Sequence, residues 1–66
     1  MIILTKINNQ DFVINSDLIE TIEQTPDTII TMTTGNKYVV KQSQEEIIRR
    51  IIQYKRKIHL ISEGEE

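Results

Sequence analysis

The chain has 66 residues and a net charge of −2, with 38% hydrophobic residues and no cysteine. A domain this short buries a modest share of its surface and normally needs a staple; without cysteine, and with His59 as the sole histidine, disulfides and closed His/Cys zinc sites are excluded, which leaves self-association. The charge is uneven: residues 1–42 hold three Lys against five acids, residues 43–61 hold Arg49, Arg50, Lys55, Arg56 and Lys57 against Glu45 and Glu46, and residues 62–66 hold three Glu.

The opening Met1-Ile2-Ile3-Leu4-Thr5-Lys6 has neither the basic start nor the long apolar stretch of a signal peptide, and none is expected. No apolar run approaches the ~18 residues of a membrane span. With cysteine absent, a cytoplasmic location is expected. Ile2 to Ile7 reads as a first strand, Asn8-Asn9-Gln10 as a turn and Phe12-Val13-Ile14 as a second strand, together a hairpin. Asn15-Ser16-Asp17 is a polar break in which Ser16 or Asp17 can cap a single helical turn. The third strand runs from Ile19 to Gln24. Thr25-Pro26-Asp27-Thr28 is a turn, because Pro26 has no amide to give a ladder. The fourth strand covers Thr28 to Thr33, rich in Thr and Ile. Gly35-Asn36 supplies the positive φ of a hairpin turn, and the fifth strand runs from Lys37 to Lys41.

Ser43-Gln44-Glu45-Glu46 has the form of a capping box, with Ser43 accepting from the Glu46 amide and the Glu46 carboxylate reaching back. Ile47, Ile48, Ile51, Ile52, Ile58 and Ile61 follow helical spacing, with Lys55 breaking the stripe. Glu45–Arg49 and Glu46–Arg50 are expected i,i+4 pairs. The helix is expected from Gln44 to about Leu60. The organisation is one domain over residues 1–61 and a disordered acidic tail over 62–66. The fold class is α+β: a small, curved antiparallel sheet of about five strands followed by one C-terminal amphipathic helix.

One helix covers one face of a sheet, yet apolar residues alternate onto both faces here. The set Ile2, Leu4, Ile29 and Val39 is expected to be left over. Either it forms a contact surface, giving a homo-oligomer or a partner interface, or the sheet curls into a half-barrel that buries both sets.

Chemistry is sparse. Glu20 and Glu23 are three apart on a strand and so face opposite sides; Asp11, Asp17 and Asp27 sit at turns for backbone reasons. His59 has neither an orienting acid nor a nucleophile evident beside it. Gly35 and Gly64 belong to no phosphate-cradling loop. No catalytic residue, cofactor, metal or small-molecule substrate is expected. The basic helix, with Tyr54 among its cations, suits nucleic acid, an acidic protein or anionic lipid, and equally a solvated face. The acidic balance overall speaks against DNA or RNA.

Leu18-Ile19-Glu20-Thr21-Ile22-Glu23, Thr25-Pro26-Asp27-Thr28, Ile30-Thr31, Gly35, Lys37-Tyr38-Val39-Val40-Lys41, Ser43, Glu46 and Tyr54-Lys55-Arg56-Lys57 together resemble the FlbD/SwrD family of small flagellar proteins. Met1-Ile2, Leu4-Thr5, Asn8 and Phe12-Val13 fit as well, so the resemblance covers about residues 1–58. Asn8-Asn9 stands where family members often carry Asn-Gly. The resemblance implies a cytoplasmic, non-enzymatic protein that supports swarming motility, raising motor power through a stator or motor component. Arg49, Arg50 and Arg56, whose planar guanidinium groups suit carboxylates, are the expected partner-binding residues. The alternative reading is a small regulatory nucleic-acid-binding module acting on flagellar gene expression.

Overall fold

A computed structural model describes the backbone of residues 1–65 and the side chains of residues 1–58. The element order is β1 (Ile2–Thr5), β2 (Asp11–Ile14), a 3-10 turn (Ser16–Leu18), β3 (Ile19–Gln24), β4 (Thr28–Met32), β5 (Lys37–Val40) and α1 (Gln44–Glu65). The expected α+β order of five antiparallel strands and one helix is what the chain adopts. The strands form two sheets, however, β1-β2 and β3-β4-β5. The two are joined at one bridge, Lys6↔Val40, flanked by main-chain bonds from the Lys41 amide to Thr5 O and from the Ile7 amide to Val39 O. The spatial order is therefore 2-1-5-4-3, with a narrow seam between β1 and β5.

Local chemistry explains the turns. Asn9 takes a positive φ of 71° between β1 and β2, which Asn tolerates. Between β4 and β5 the loop spans residues 33–36, and Gly35 alone carries the positive φ, at 94°. The Thr25–Pro26 peptide is cis. The 3-10 turn is capped by Asn15, whose side chain accepts from the Asp17 amide, rather than by Ser16 or Asp17. Asn15 stands one residue before the turn with extended backbone angles, as a cap requires.

A β-bulge interrupts β3 between Ile19 and Thr21. Ile19 and Ile22 are three apart, a spacing that strict alternation would split between the faces. The extra residue lets both pack against the core. The same bulge removes the alternation on which opposite facing of Glu20 and Glu23 rested; both are exposed.

The core is Ile2, Leu4, Ile14, Ile30, Met32, Val40 and Ile47, with Phe12, Ile19, Ile22, Tyr38, Ile51 and Tyr54 packed around it. This corrects the expected leftover set. Ile2 and Leu4 are buried, Ile29 and Val39 are half-buried, and the exposed apolar residues of the first hairpin are instead Ile3 and Val13 on its strands and Ile7 in its turn. Alternation gave the right period in β1 but the wrong parity. The Ile2↔Ile14 and Leu4↔Phe12 pairs turn one face of the hairpin inward, and Ile3↔Val13 faces out.

Ser43 starts the helix: its Oγ accepts from the Glu46 amide at 3.1 Å and its carbonyl accepts from the Ile47 amide. Gln24 Oε1 takes the Gln44 amide at 2.9 Å, satisfying another of the free donors of the first turn. The reciprocal half of the capping box is absent, because the Glu46 carboxylate binds Arg49 and Arg50 instead. The helix passes the expected end near Leu60 and continues to Glu65; no proline follows Pro26 to stop it. Glu66 and the side chains of His59 and Ile61 lie outside the described residues.

At ~1.5 Å per residue the 22-residue helix is ~33 Å long, longer than any strand here can cover. Burial falls along it: Ile47 is fully buried, Ile51 and Tyr54 are half-buried, and Ile58 is exposed. Because Ile47 meets the core and Ile48 does not, Ile47→Ala is expected to destabilise the fold by about 2–4 kcal/mol. Ile48→Ala is expected to stay within about 0.5 kcal/mol. Urea unfolding of dilute protein checks both.

Candidate functional site

The apolar stripe of α1 is two stripes. Ile47, Ile51 and Tyr54 turn to the sheets, while Ile48 and Ile52 lie on an exposed flank. The opposite flank runs beside β1. There Met1, Ile2, Ile3, Arg50, Gln53, Tyr54, Arg56 and Lys57 line an open groove of about 650 Å³. Its floor is apolar and its helical rim is cationic.

The three arginines expected to bind a partner occupy different settings. Arg49 is exposed and bonds Glu46 Oε1 at 2.6 Å. This replaces the expected Glu45–Arg49 pair; i,i+3 and i,i+4 neighbours are both within reach on a helix. Arg50 forms the expected pair with Glu46, Nε to Oε2 at 2.9 Å. Its Nη1 also donates to the Ile3 carbonyl at 2.6 Å. Arg50 is thus turned toward β1 and ties the helix to the edge of the first hairpin. Arg56 is exposed at the groove. Neither Arg56 nor Lys57 has an ion-pair partner among the described residues.

Lys57 and Tyr54 belong to the groove but were not among the expected binding residues. Arg50, Tyr54 and Lys57 are spaced i, i+4, i+7, which places them on one helix face; that spacing was legible. The contribution of Met1 and Ile3 was not, since it depends on the hairpin's parity. Tyr54 is packed against the core rather than standing free as a platform for stacked bases.

A second cluster lies on the strands. Lys6 Nζ sits 5.2 Å from the centroid of Phe12 and 5.7 Å from that of Tyr38, and the two rings are 5.3 Å apart. Here a cation caps an aromatic pair beside the β1–β5 seam. Among the described residues no group of three or more His, Asp or Glu is placed to hold a metal ion, and no helix is long and apolar enough to cross a membrane. The groove thus sets the cationic side chains of Arg50, Arg56 and Lys57 beside the apolar surface of Met1, Ile2 and Ile3.

The model of the FlbD family, described as flagellar and swarming motility proteins, matches residues 1–59 of the chain. Neither the curated proteins nor the solved structures yield a match.

Arg50 bridges two elements and Arg49 only neighbours on its own helix. Arg50→Ala is therefore expected to lower stability by about 1 kcal/mol, the scale of a part-exposed charged hydrogen bond, and Arg49→Ala by less than about 0.5 kcal/mol. Thermal and urea denaturation of the two variants side by side checks the difference.

Proposed function

Because the chain belongs to the FlbD family of flagellar and swarming motility proteins, we propose that it is a non-enzymatic, cytoplasmic accessory of the flagellar motor. In this reading it supports swarming by binding a stator or motor component and raising motor power. The family match over residues 1–59 carries the motility part of the proposal. The groove beside β1 supports the binding part, because Arg56 and Lys57 stand beside exposed apolar surface without an ion-pair partner among the described residues.

The energetics are those of mass action. A small protein without catalytic chemistry changes motor output only by binding one state of a component more tightly than another. A tenfold preference corresponds to about 1.4 kcal/mol, which two or three well-placed Arg or Lys contacts to carboxylates can supply. In this scheme Arg56 and Lys57 meet the acidic partner, Arg50 shapes the groove wall, and Arg49 lies outside the groove lining. Self-association belongs to the same proposal, since exposed Ile48 and Ile52 lie on the flank the groove does not use.

The double charge reversal Arg56→Glu/Lys57→Glu tests this in a strain lacking the chromosomal gene. Swarming and motor torque under viscous load are expected to fall to the level of the deletion, with circular dichroism and expression unchanged. Torque equal to that of the wild-type protein overturns the groove as the contact site. A deletion strain that swarms normally overturns the motility role.

A further inference from the structure

We infer that the outer flank of α1 is a self-complementary surface on which a second copy of this chain packs its own α1 antiparallel. The flank carries Glu45, Ile48, Ile52 and Lys55, spaced i, i+3, i+7 and i+10, which keeps all four on one seam of a helix. All are exposed, with Ile48 at 49% and Ile52 at 46%, a large exposure for two isoleucines one turn apart.

The order of these residues is palindromic about Arg50. Ile48 and Ile52 lie two residues to either side of it, and Glu45 and Lys55 lie five to either side. A two-fold axis through the middle of the seam therefore sets Ile48 of each copy against Ile52 of the other. It also sets Glu45 of each against Lys55 of the other. An isologous contact requires this reciprocity, residue i on j and j on i. A parallel pairing would place Glu45 on Glu45 and Lys55 on Lys55, so the charges select the antiparallel arrangement.

The surroundings agree. Lys55 is held only loosely at home, 3.8 Å from Asp17 Oδ1 with both side chains largely exposed. Leu18, beside Asp17 in the chain, is itself 44% exposed and widens the apolar area at that end. Arg49 borders the seam near the axis, with its charge already paired to Glu46. Lys57 and Arg50 of the groove lie on the other flank, while Arg56, four residues after Ile52, borders the seam; a paired helix therefore leaves Lys57 open to a different partner, and two grooves per assembly gain from bivalency. Two apolar contacts and two ion pairs make a surface below the about 1,000 Å² of a stable interface, so pairing is weak and is seen at high protein concentration.

The inference rests on the self-association proposed above and not on the motility role. Sedimentation equilibrium at low salt, with protein up to about 1 mM, tests it with Glu45→Lys, Lys55→Glu, the double variant and a mixture of the two singles. Wild-type protein is expected to dimerise. Each single variant places like charges together twice and is expected to weaken the dimer roughly tenfold. The double variant and the one-to-one mixture restore both pairs and are expected to recover the wild-type constant. A wild-type dimer that the single variants leave unchanged overturns this interface while self-association stands. A wild-type monomer at the highest concentration overturns both.

Discussion

Thr5 is the residue on which the rest of the molecule turns. Its carbonyl accepts the Lys41 amide. Its amide donates to Gln42 Oε1 at 2.9 Å, and its hydroxyl accepts from Gln42 Nε2 at 3.0 Å. These bonds, with the Lys6↔Val40 bridge, are where the hairpin meets the three-stranded sheet. Neither sheet has a second layer of its own, and a lone two-stranded hairpin is at best marginal in water. Joined here, the hairpin contributes Ile2, Leu4 and Ile14 and the other sheet contributes Ile30, Met32 and Val40 to one core that Ile47 closes. The junction also directs the chain out of β5, through Gln42 and Ser43, into the helix.

The position of the helix follows from that. With Ile47 anchored and Arg50 tied to the Ile3 carbonyl, α1 leaves the sheets before its apolar residues are used up. Its three flanks then differ in kind. One is packed. One, beside β1, combines a groove with the positive charge of Arg50, Arg56 and Lys57. One presents two isoleucines between an acid and a base. Among the described residues, Ile48, Ile52 and Ile58 are the apolar side chains that this leaves exposed on the helix.

Sequence pattern revealed the elements well and their orientation poorly. The Thr25-Pro26 and Gly35 punctuation and the Ser43 cap marked strand and helix limits to within a residue or two, because the constraint is local: a missing amide, a positive φ, a side-chain acceptor. The parity of β1 was not local. Ile2-Ile3-Leu4 is apolar at every position, so either face could be buried until the pairing with β2 chose one. The β3 bulge hid in the same way, since Ile19 and Ile22 make sense on one strand face only with an extra residue on β3 between them. For the helix, 3.6-residue periodicity grouped Ile47 with Ile48 and Ile51 with Ile52. The narrow contact with β1 and β3 turns only one member of each pair toward the core, burying Ile47 fully and Ile51 in part. The cations of the groove were visible as composition; what separates Arg50 from Arg56 is the Ile3 carbonyl, a long-range contact no spacing rule supplies.

The central claim is that partner contact is made by the β1-side flank of the helix and not by the outer face of the sheets. A photo-crosslinking amino acid placed at Lys57 and, separately, at Val13, which is 63% exposed on the outer face of the hairpin, tests it in swarming cells. Crosslinks from position 57 to a motor or stator protein, with none from position 13, are the expected result. Crosslinks to that protein from position 13 alone would contradict it.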